Sequence, residues 1–380
     1  MKLVMQASDL AEMVNVCGLA ISSRPMRPIN ECVYLQARQG QGIPMLTMIG
    51  KDMGIGIQKV TDRVTVMEDG EALIPAKTLL GFLKLMDGEV TLTVDEKNQA
   101  TLKSKGKKVN ILCMDGAEFE PGLTEIEKPH ECKMNGLDYG TLVNSVAHCV
   151  ATDTGRMVLT GINFTFDGTK SSGSVETCGL DGFRMAICRK NADTNDQFSA
   201  LVPGTSAKLV QKVIGVSEDV SFRFGSGVMI AEAYDTAIEV ALLAGEYMDY
   251  NKMVKRDATM RMKLSTKELL NAVKIAMISA VEAKNNLIVF HVRDEETLEV
   301  SAMNDKSAAV TAIPCMVEGQ MADGNEIAFD GRFVEDCLKA QMGYGDEAIL
   351  ECKNGVAPMD VMPSESNDFF QLVLPVRRSA

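Results

Sequence analysis

A single plan repeated three times along the 380 residues constrains this chain more than any individual motif. Lys2-Leu3-Val4-Met5 followed by Ser8-Asp9-Leu10 returns as Glu131-Cys132-Lys133-Met134 followed by Leu137-Asp138-Tyr139. It returns again as Met260-Arg261-Met262-Lys263 followed by Lys267-Glu268-Leu269. The step from Asp9 to Asp138 is 129 residues and from Asp138 to Glu268 is 130. A second landmark, Ala72-Leu73-Ile74-Pro75-Ala76-Lys77, recurs as Ala200-Leu201-Val202-Pro203-Gly204-Thr205 and Ile327-Ala328-Phe329-Asp330-Gly331-Arg332. Pro75 to Pro203 is 128 residues and Val202 to Phe329 is 127. Either landmark alone is ordinary strand-to-helix grammar, but two with one spacing imply three copies of one unit.

Each copy is expected to hold two helices between strands. The first kind covers about residues 8–20, 136–150 and 265–280, the second about 76–86, 205–215 and 331–341. Ser265-Thr266-Lys267-Glu268 has the capping-box form, in which a Ser oxygen and a Glu carboxylate satisfy free N–H groups of the first turn. Val90-Thr91-Leu92-Thr93-Val94 and Ser221-Phe222-Arg223-Phe224 alternate with period 2, the pattern of sheets buried on one face. Asp69-Gly70, Asp87-Gly88, Asp115-Gly116 and Asn354-Gly355 mark turns. The fold class expected is α+β, with domains at 1–125, 126–255 and 256–380 joined by linkers near 120–129 and 252–259. Each is large enough to bury roughly two thirds of its unfolded surface.

Composition narrows the class. Hydrophobic residues make up 46% and charged residues 24% of the chain, which fits a soluble globular protein and not a disordered one. Met1 to Ala20 lacks a basic start followed by an apolar block, and no apolar run is long enough to span a bilayer. No signal peptide or membrane segment is therefore expected. The ten cysteines form no CxxC pair and read as small core residues in a reducing cytoplasm. With His130, His148 and His291 far apart, neither a metal site nor a cofactor is expected.

The net charge of -13 disfavours binding of a polyanion through a generally basic surface. The three segments carry -2, -4 and -7, so none is basic overall. The cations are nevertheless organised. Lys77 and Lys84, Arg332 and Lys339, and Lys267 and Lys274 lie seven apart, and Lys208 and Lys212 four apart, so each pair shares a helical face. Leu79, Leu80, Leu83, Leu209, Val213, Val334 and Leu338 are assigned to the opposite sides. One such helix is an ordinary solvated face. Four in equivalent repeat positions of an acidic protein suggest a locally positive surface that carries no base-reading pattern. The densest basic run, Lys103-Ser104-Lys105-Gly106-Lys107-Lys108, reads as a solvated hairpin turn.

Enzyme signatures are sparse. There is no phosphate loop of the GxxxxGK[ST] type, no GxSxG and no HExxH, and Gly54-Ile55-Gly56 lacks the third glycine of a dinucleotide fingerprint. The Ser104-Lys105-Gly106-Lys107 string lacks its SDN and KTG partners. In Leu180-Asp181-Gly182-Phe183-Arg184-Met185, a turn brings a carboxylate and a guanidinium together. This leaves one alternative, an enzyme using Asp181 and Arg184 in an interdomain cleft, although neither a nucleophile nor a metal ligand stands beside them.

The threefold repeat, the turn at 180–185, Glu246-Tyr247-Met248-Asp249-Tyr250 and the ending Leu372-Val373-Leu374-Pro375-Val376-Arg377 resemble the bacterial DNA polymerase III beta subunit family, the replication sliding clamps. The resemblance spans essentially the whole chain in order. It implies a non-enzymatic, head-to-tail homodimeric ring that encircles double-stranded DNA without sequence specificity and confers processivity on the polymerase. Helices would line the hole and sheets would form the rim. Implied partners are duplex DNA, the DNA polymerase III catalytic subunit, the clamp loader and other clamp-binding replication and repair proteins; no membrane is implied.

Carried over residue by residue, the DNA-facing set is Arg24, Lys77, Lys84, Lys208, Lys212, Lys267, Lys274, Arg332 and Lys339. The implied peptide pocket comprises Leu159, Gly161, Leu180, Gly182, Arg184, Met185, Met248, Met253, Val356, Pro358, Val373, Leu374, Pro375 and Val376. The implied dimer contact comprises Val109, Ile111, Met277 and Ile278. Phe183, Met248 and Lys252 replace residues more usual in the family, and Arg378-Ser379-Ala380 extend past its usual end. A methionine-rich wall can repack around varied side chains.

Overall fold

The structure, a computed structural model, describes every residue except 23–26, 41, 170–172, 256, 283–285 and 378–380. The first helices of the three repeats are α1 (Ala7–Cys17), α3 (Gly136–Val146) and α5 (Thr266–Glu282), and the second are α2 (Ala76–Leu83), α4 (Gly204–Ile214) and α6 (Gly331–Gln341). Five follow directly on a strand and α3 follows one after a single residue, Asn135, as the two repeated landmarks require. Their boundaries have local causes. Ser265 Oγ accepts from Glu268 N at 3.3 Å in the first turn of α5. Asp330 Oδ1 accepts from Arg332 N at 3.0 Å at the start of α6.

The chain divides into two compact units, 1–137 with 205–242 and 138–204 with 243–380. The first unit holds a five-stranded sheet in the order Thr65–Glu68, Lys2–Gln6, Glu89–Val94, Gln99–Ser104, Lys107–Leu112. Lys105 and Gly106, at φ +41° and +80°, make the tight turn between its last two strands, so the lysine run is a hairpin tip. The same unit holds an eight-stranded sheet in which Ile55–Thr61 of the first repeat pairs antiparallel with Thr236–Ala241 of the second. Gly54, at φ +78°, turns the chain between Met45–Asp52 and Ile55–Thr61, a hairpin and not a nucleotide loop. Lys59 fastens the pairing of the two repeats, with Nζ at 2.8 Å from Asp235 Oδ1 and 3.6 Å from Glu12 Oε1.

The second unit is built on one twelve-stranded sheet. Its junction between repeats is of the same kind: Arg184–Asn191 of the second repeat pairs antiparallel with Phe369–Val373 of the third. Tyr344 adds to this junction. Its ring stacks on Phe369 with centroids 4.3 Å apart, while its hydroxyl meets Ser145 Oγ at 2.5 Å and Cys188 Sγ at 3.1 Å. The core of the third repeat gathers Leu269, Val273, Phe290, Phe329 and Leu338. Truncating a buried leucine of this kind costs about 2–5 kcal/mol. A Cβ at Gly331, where α6 starts against α5, would stand 2.3 Å from Met277 Sδ and 2.9 Å from Ile288 Cγ2, so those side chains would have to shift.

The helix stripes differ in part from expectation. Leu79, Leu83, Val334 and Leu338 are buried, but Leu80, Leu209 and Val213 are only half-buried. On α4 the inward positions are Ala207, Val210 and Ile214, spaced three and four apart as one helical face demands. Of the ten cysteines, nine are buried and Cys315 is half-buried, all of them free thiols. Burial pushes the Cys17 thiol up to about 12 and the Cys32 thiol up to about 11, which suits inert core residues. No described helix is long and apolar enough to cross a membrane.

Candidate functional site

The turn between Ser174–Leu180 and Arg184–Asn191 organises the most developed groove of the second unit. Gly182 takes φ +93°, which a side chain would strain. Asp181 then folds over the turn: Oδ1 accepts from Phe183 N at 2.9 Å and Arg184 N at 3.0 Å, and Oδ2 accepts from Arg184 Nε at 3.1 Å. The guanidinium reaches on, with Nη1 donating to Asp336 Oδ2 at 2.8 Å and Cζ lying 4.7 Å from the centre of the Phe333 ring. Phe183 stacks on that ring at 5.6 Å. Burial pulls the Arg184 pKa down, but Asp336 and Asp181 more than restore it, and the group stays cationic. Asp181 and Arg184 thus form a structural clamp. With its oxygens already accepting three hydrogen bonds, Asp181 is not free to act as a general base, and the enzyme alternative loses its only catalytic pair.

Beside this clamp runs a groove of about 630 Å³. Ten expected residues line it: Leu159, Leu180, Gly182, Arg184, Met185, Met248, Met253, Val356, Pro358 and Leu374. Leu159, Leu180 and Met185 are buried and form the floor, while Met248, Met253, Val356 and Leu374 are exposed at the rim. Such a combination buries apolar ligand groups against a floor and leaves flexible side chains to adapt. Phe183 and Lys252, noted as departures from the family, line it too.

Four expected residues are outside the lining. Gly161 is buried in its sheet, where a Cβ would meet Leu201 at 2.8 Å and Leu243 at 2.9 Å. Val373 is fully buried in the third-repeat core, on the inward side of its strand. Pro375 and Val376 lie past the groove, Val376 N donating to Ala328 O at 2.8 Å. Leu374 stays at the rim because its N–H donates to Phe183 O at 2.8 Å.

The charged part of the lining was not anticipated. Arg156, Lys255 and Lys353 contribute cations, and Asp257, Glu351 and Asp360 contribute carboxylates. They come from three distant stretches and share no periodicity. The one legible signal was the Asn354-Gly355 turn: Asn354 Oδ1 accepts from Val356 N at 3.1 Å and Ala357 N at 2.7 Å, which presents Val356 to the groove.

The helix cations separate into two groups. Lys77, Lys84, Lys208, Lys212, Lys267 and Lys274 are exposed and have no carboxylate within ion-pair distance among the described residues. Arg332 and Lys339 are also exposed but paired. Arg332 forks onto Asp330 at 2.6 and 3.0 Å, and Lys339 Nζ lies 3.0 Å from Glu335 and 3.8 Å from Asp336. Arg24 lies outside the described residues. So does the Arg378-Ser379-Ala380 extension.

The four residues of the expected dimer contact point in different directions. Ile111 and Met277 are buried in their own units and Val109 is half-buried, whereas Ile278 is exposed. Alternation along Lys107–Leu112 turns Leu112 outward beside the inward Ile111. Among the described residues, no grouping of three His, Cys, Asp or Glu side chains has the geometry to hold a metal ion.

Comparison with known proteins closes the question of kinship. Residues 1–124 match the DNA polymerase III beta subunit, N-terminal domain, and residues 136–249 match the central domain of the same subunit, together well over half the chain. The beta sliding clamp of Synechocystis sp. is 26% identical over an alignment covering 99% of both chains, and that of Bacillus subtilis is 24% identical over 99% of this chain and 100% of that one. The crystal structure of the DNA polymerase sliding clamp from Bacillus subtilis superposes with a TM-score of 0.91, at 23% identity and full coverage of both chains. The Thermotoga maritima DNA polymerase III beta subunit does so at 0.87, with 18% identity and the same coverage. With its repeated α+β plan, its strand-sharing sheets and these matches along its length, the chain belongs to the DNA polymerase III beta subunit family, the sliding clamps.

Proposed function

We propose that this chain is a non-enzymatic DNA sliding clamp of the cytoplasm that encircles duplex DNA as a head-to-tail homodimer and tethers the DNA polymerase III catalytic subunit. Its three domains would be 1–125, 126–255 and 256–380. The observation that carries the reading is the set of exposed, unpaired lysines on the second helices of the first two repeats, α2 and α4, and on the first helix of the third, α5, in an otherwise acidic chain. Cations without fixed partners exchange readily between phosphates, so they can hold DNA loosely while enclosure prevents escape. Nothing in these faces reads base edges, in keeping with sequence-independent sliding.

The groove beside Arg184 would receive a short apolar peptide from the polymerase, the clamp loader and other replication and repair proteins. Its buried floor and exposed methionine rim support that role. The deciding experiment loads the protein onto nicked circular DNA with a clamp loader and ATP. Retention on the circle and release on linearisation are expected. Equal retention on both forms would mean ordinary surface binding and would overturn the ring.

A further inference from the structure

Asp360 lies in the strand Met359–Pro363, between Glu347–Cys352 and Phe369–Val373, where it pairs in register with Glu351 on one side and Leu372 on the other. It is only 7% exposed, yet no hydrogen bond or ion pair reaches it among the described residues. It lines the peptide groove and also a second groove of about 1100 Å³; the two share Ala258, Glu351 and Asp360. Its oxygens are not among the fully enclosed unpartnered side-chain atoms, so they open onto the grooves, where a mostly desolvated carboxylate without a protein partner is available to a ligand's cation.

The neighbouring charges show what is missing. Asp257 has Lys353, with Nζ at 2.6 Å, and Glu351 has Arg261, with Nε at 3.9 Å. Lys255 also favours the ionised form of Asp257. The strand bearing Leu372 offers no charge opposite Asp360. Each nearby carboxylate therefore has its own cation except Asp360. Burial, then Glu351, then Asp257 push its pKa up to about 7, so near neutrality it is poised between its two forms.

Building on the peptide-groove reading above, we propose that Asp360 is a specificity-determining residue that accepts a single cationic side chain, lysine or arginine, from the bound peptide where the two grooves meet. The apolar floor takes the ligand's hydrophobic groups, and the lone carboxylate selects ligands with a basic residue beside them. Because the cation binds only the ionised carboxylate, complex formation near neutral pH releases a proton.

The test is a double-mutant cycle by fluorescence anisotropy. It uses the full-length protein and two fluorescein-labelled, amidated heptapeptides, each with three leucines and one variable position, lysine in one and norleucine in the other. The wild type is expected to prefer the lysine peptide over the norleucine peptide by about tenfold more than Asp360→Asn does. Its affinity for the lysine peptide should rise between pH 6 and 8 and level off above the carboxyl's pKa, while D360N stays flat. D360N weakening both peptides equally, affinity that rises as pH falls, or tighter binding of a glutamate version would each overturn the assignment. A wild type that binds neither peptide overturns this inference and the groove reading together. Binding that is indifferent both to Leu374→Ala and to the lysine would do the same. Binding that is lost in L374A but shows no lysine coupling overturns the Asp360 assignment alone.

Discussion

Arg184 shows how one residue sets the shape of the candidate site that it also lines. Its fork satisfies Asp181 and Asp336 together, and its planar face lies against Phe333. An ammonium cannot reproduce this arrangement. Arg184→Ala leaves two carboxylates facing each other across the vacated space. Breaking a fully buried pair costs about 3–5 kcal/mol. Because the Asp336 side chain is 39% exposed, about 2 kcal/mol is expected here. Calorimetry should show the melting temperature lowered by about 4–8 °C, and Arg184→Lys should recover less than half of that. Full recovery by lysine would mean that charge, and not the fork, holds the turn. The contact between Asp181 and Arg184 was legible in the sequence, since an Asp-Gly turn brings residues three apart together. The second carboxylate was not, because Asp336 is 152 residues further along. Asp360 was equally hidden: an acidic residue in a strand ordinarily marks the solvent face, and only the packed sheet reveals it as buried.

At the level of elements, helices were the most legible part of the fold, because four of the six begin where a strand meets a proline or a capping side chain, at Pro75, Pro203, Ser265 and Asp330. What the helices present outward was legible only in part. Choosing the largest apolar residues on α4 selected Leu209 and Val213, while the three-and-four spacing of Ala207, Val210 and Ile214 marks the true inner face. Glu335 four positions before Lys339 already signalled the ion pair that the structure contains. The distinction has a measurable consequence for DNA. Glutamine at each of Lys77, Lys84, Lys208, Lys212, Lys267 and Lys274 should reduce the slope of log affinity against log salt by up to about 0.9 for every phosphate no longer neutralised. Arg332→Gln and Lys339→Gln should change it less, since those cations must first give up Asp330, Glu335 and Asp336. Filter binding of the single variants to a linear duplex across a salt series decides this. A larger effect at Arg332 than at Lys208 would mean that the intramolecular pairs open freely on DNA.

For the whole molecule the question is how two copies would close a ring, and two of the open sheet edges carry exposed apolar side chains suited to it. Lys107–Leu112 is the last strand of the five-stranded sheet and has a partner on one side only. In Ala308–Gly319, residues 308–314 pair with Thr297–Met303, but Met260–Ser265 covers the other side only along 315–319. The outer edge of 308–313 is therefore unpaired among the described residues. Open edges of this kind invite another strand unless they are blocked. Large apolar side chains stand exposed near both: Leu112 at 73%, and Met303, Val310 and Ile278 at 78%, 66% and 68%. Pairing the first edge of one copy with the second edge of its partner would satisfy both rows of backbone groups and cover these side chains, and the same contact made twice closes a ring. Leu112→Asp and Val310→Asp should each shift the protein from a dimer to a monomer of 41.2 kDa in light scattering, with unchanged circular dichroism. Ile111→Asp should behave differently. Its side chain is 4% exposed within its own unit, so a charge there lowers the melting temperature before it affects association. Leu112→Asp and Val310→Asp combined in one chain and still dimeric at nanomolar concentration would place the subunit contact on another surface.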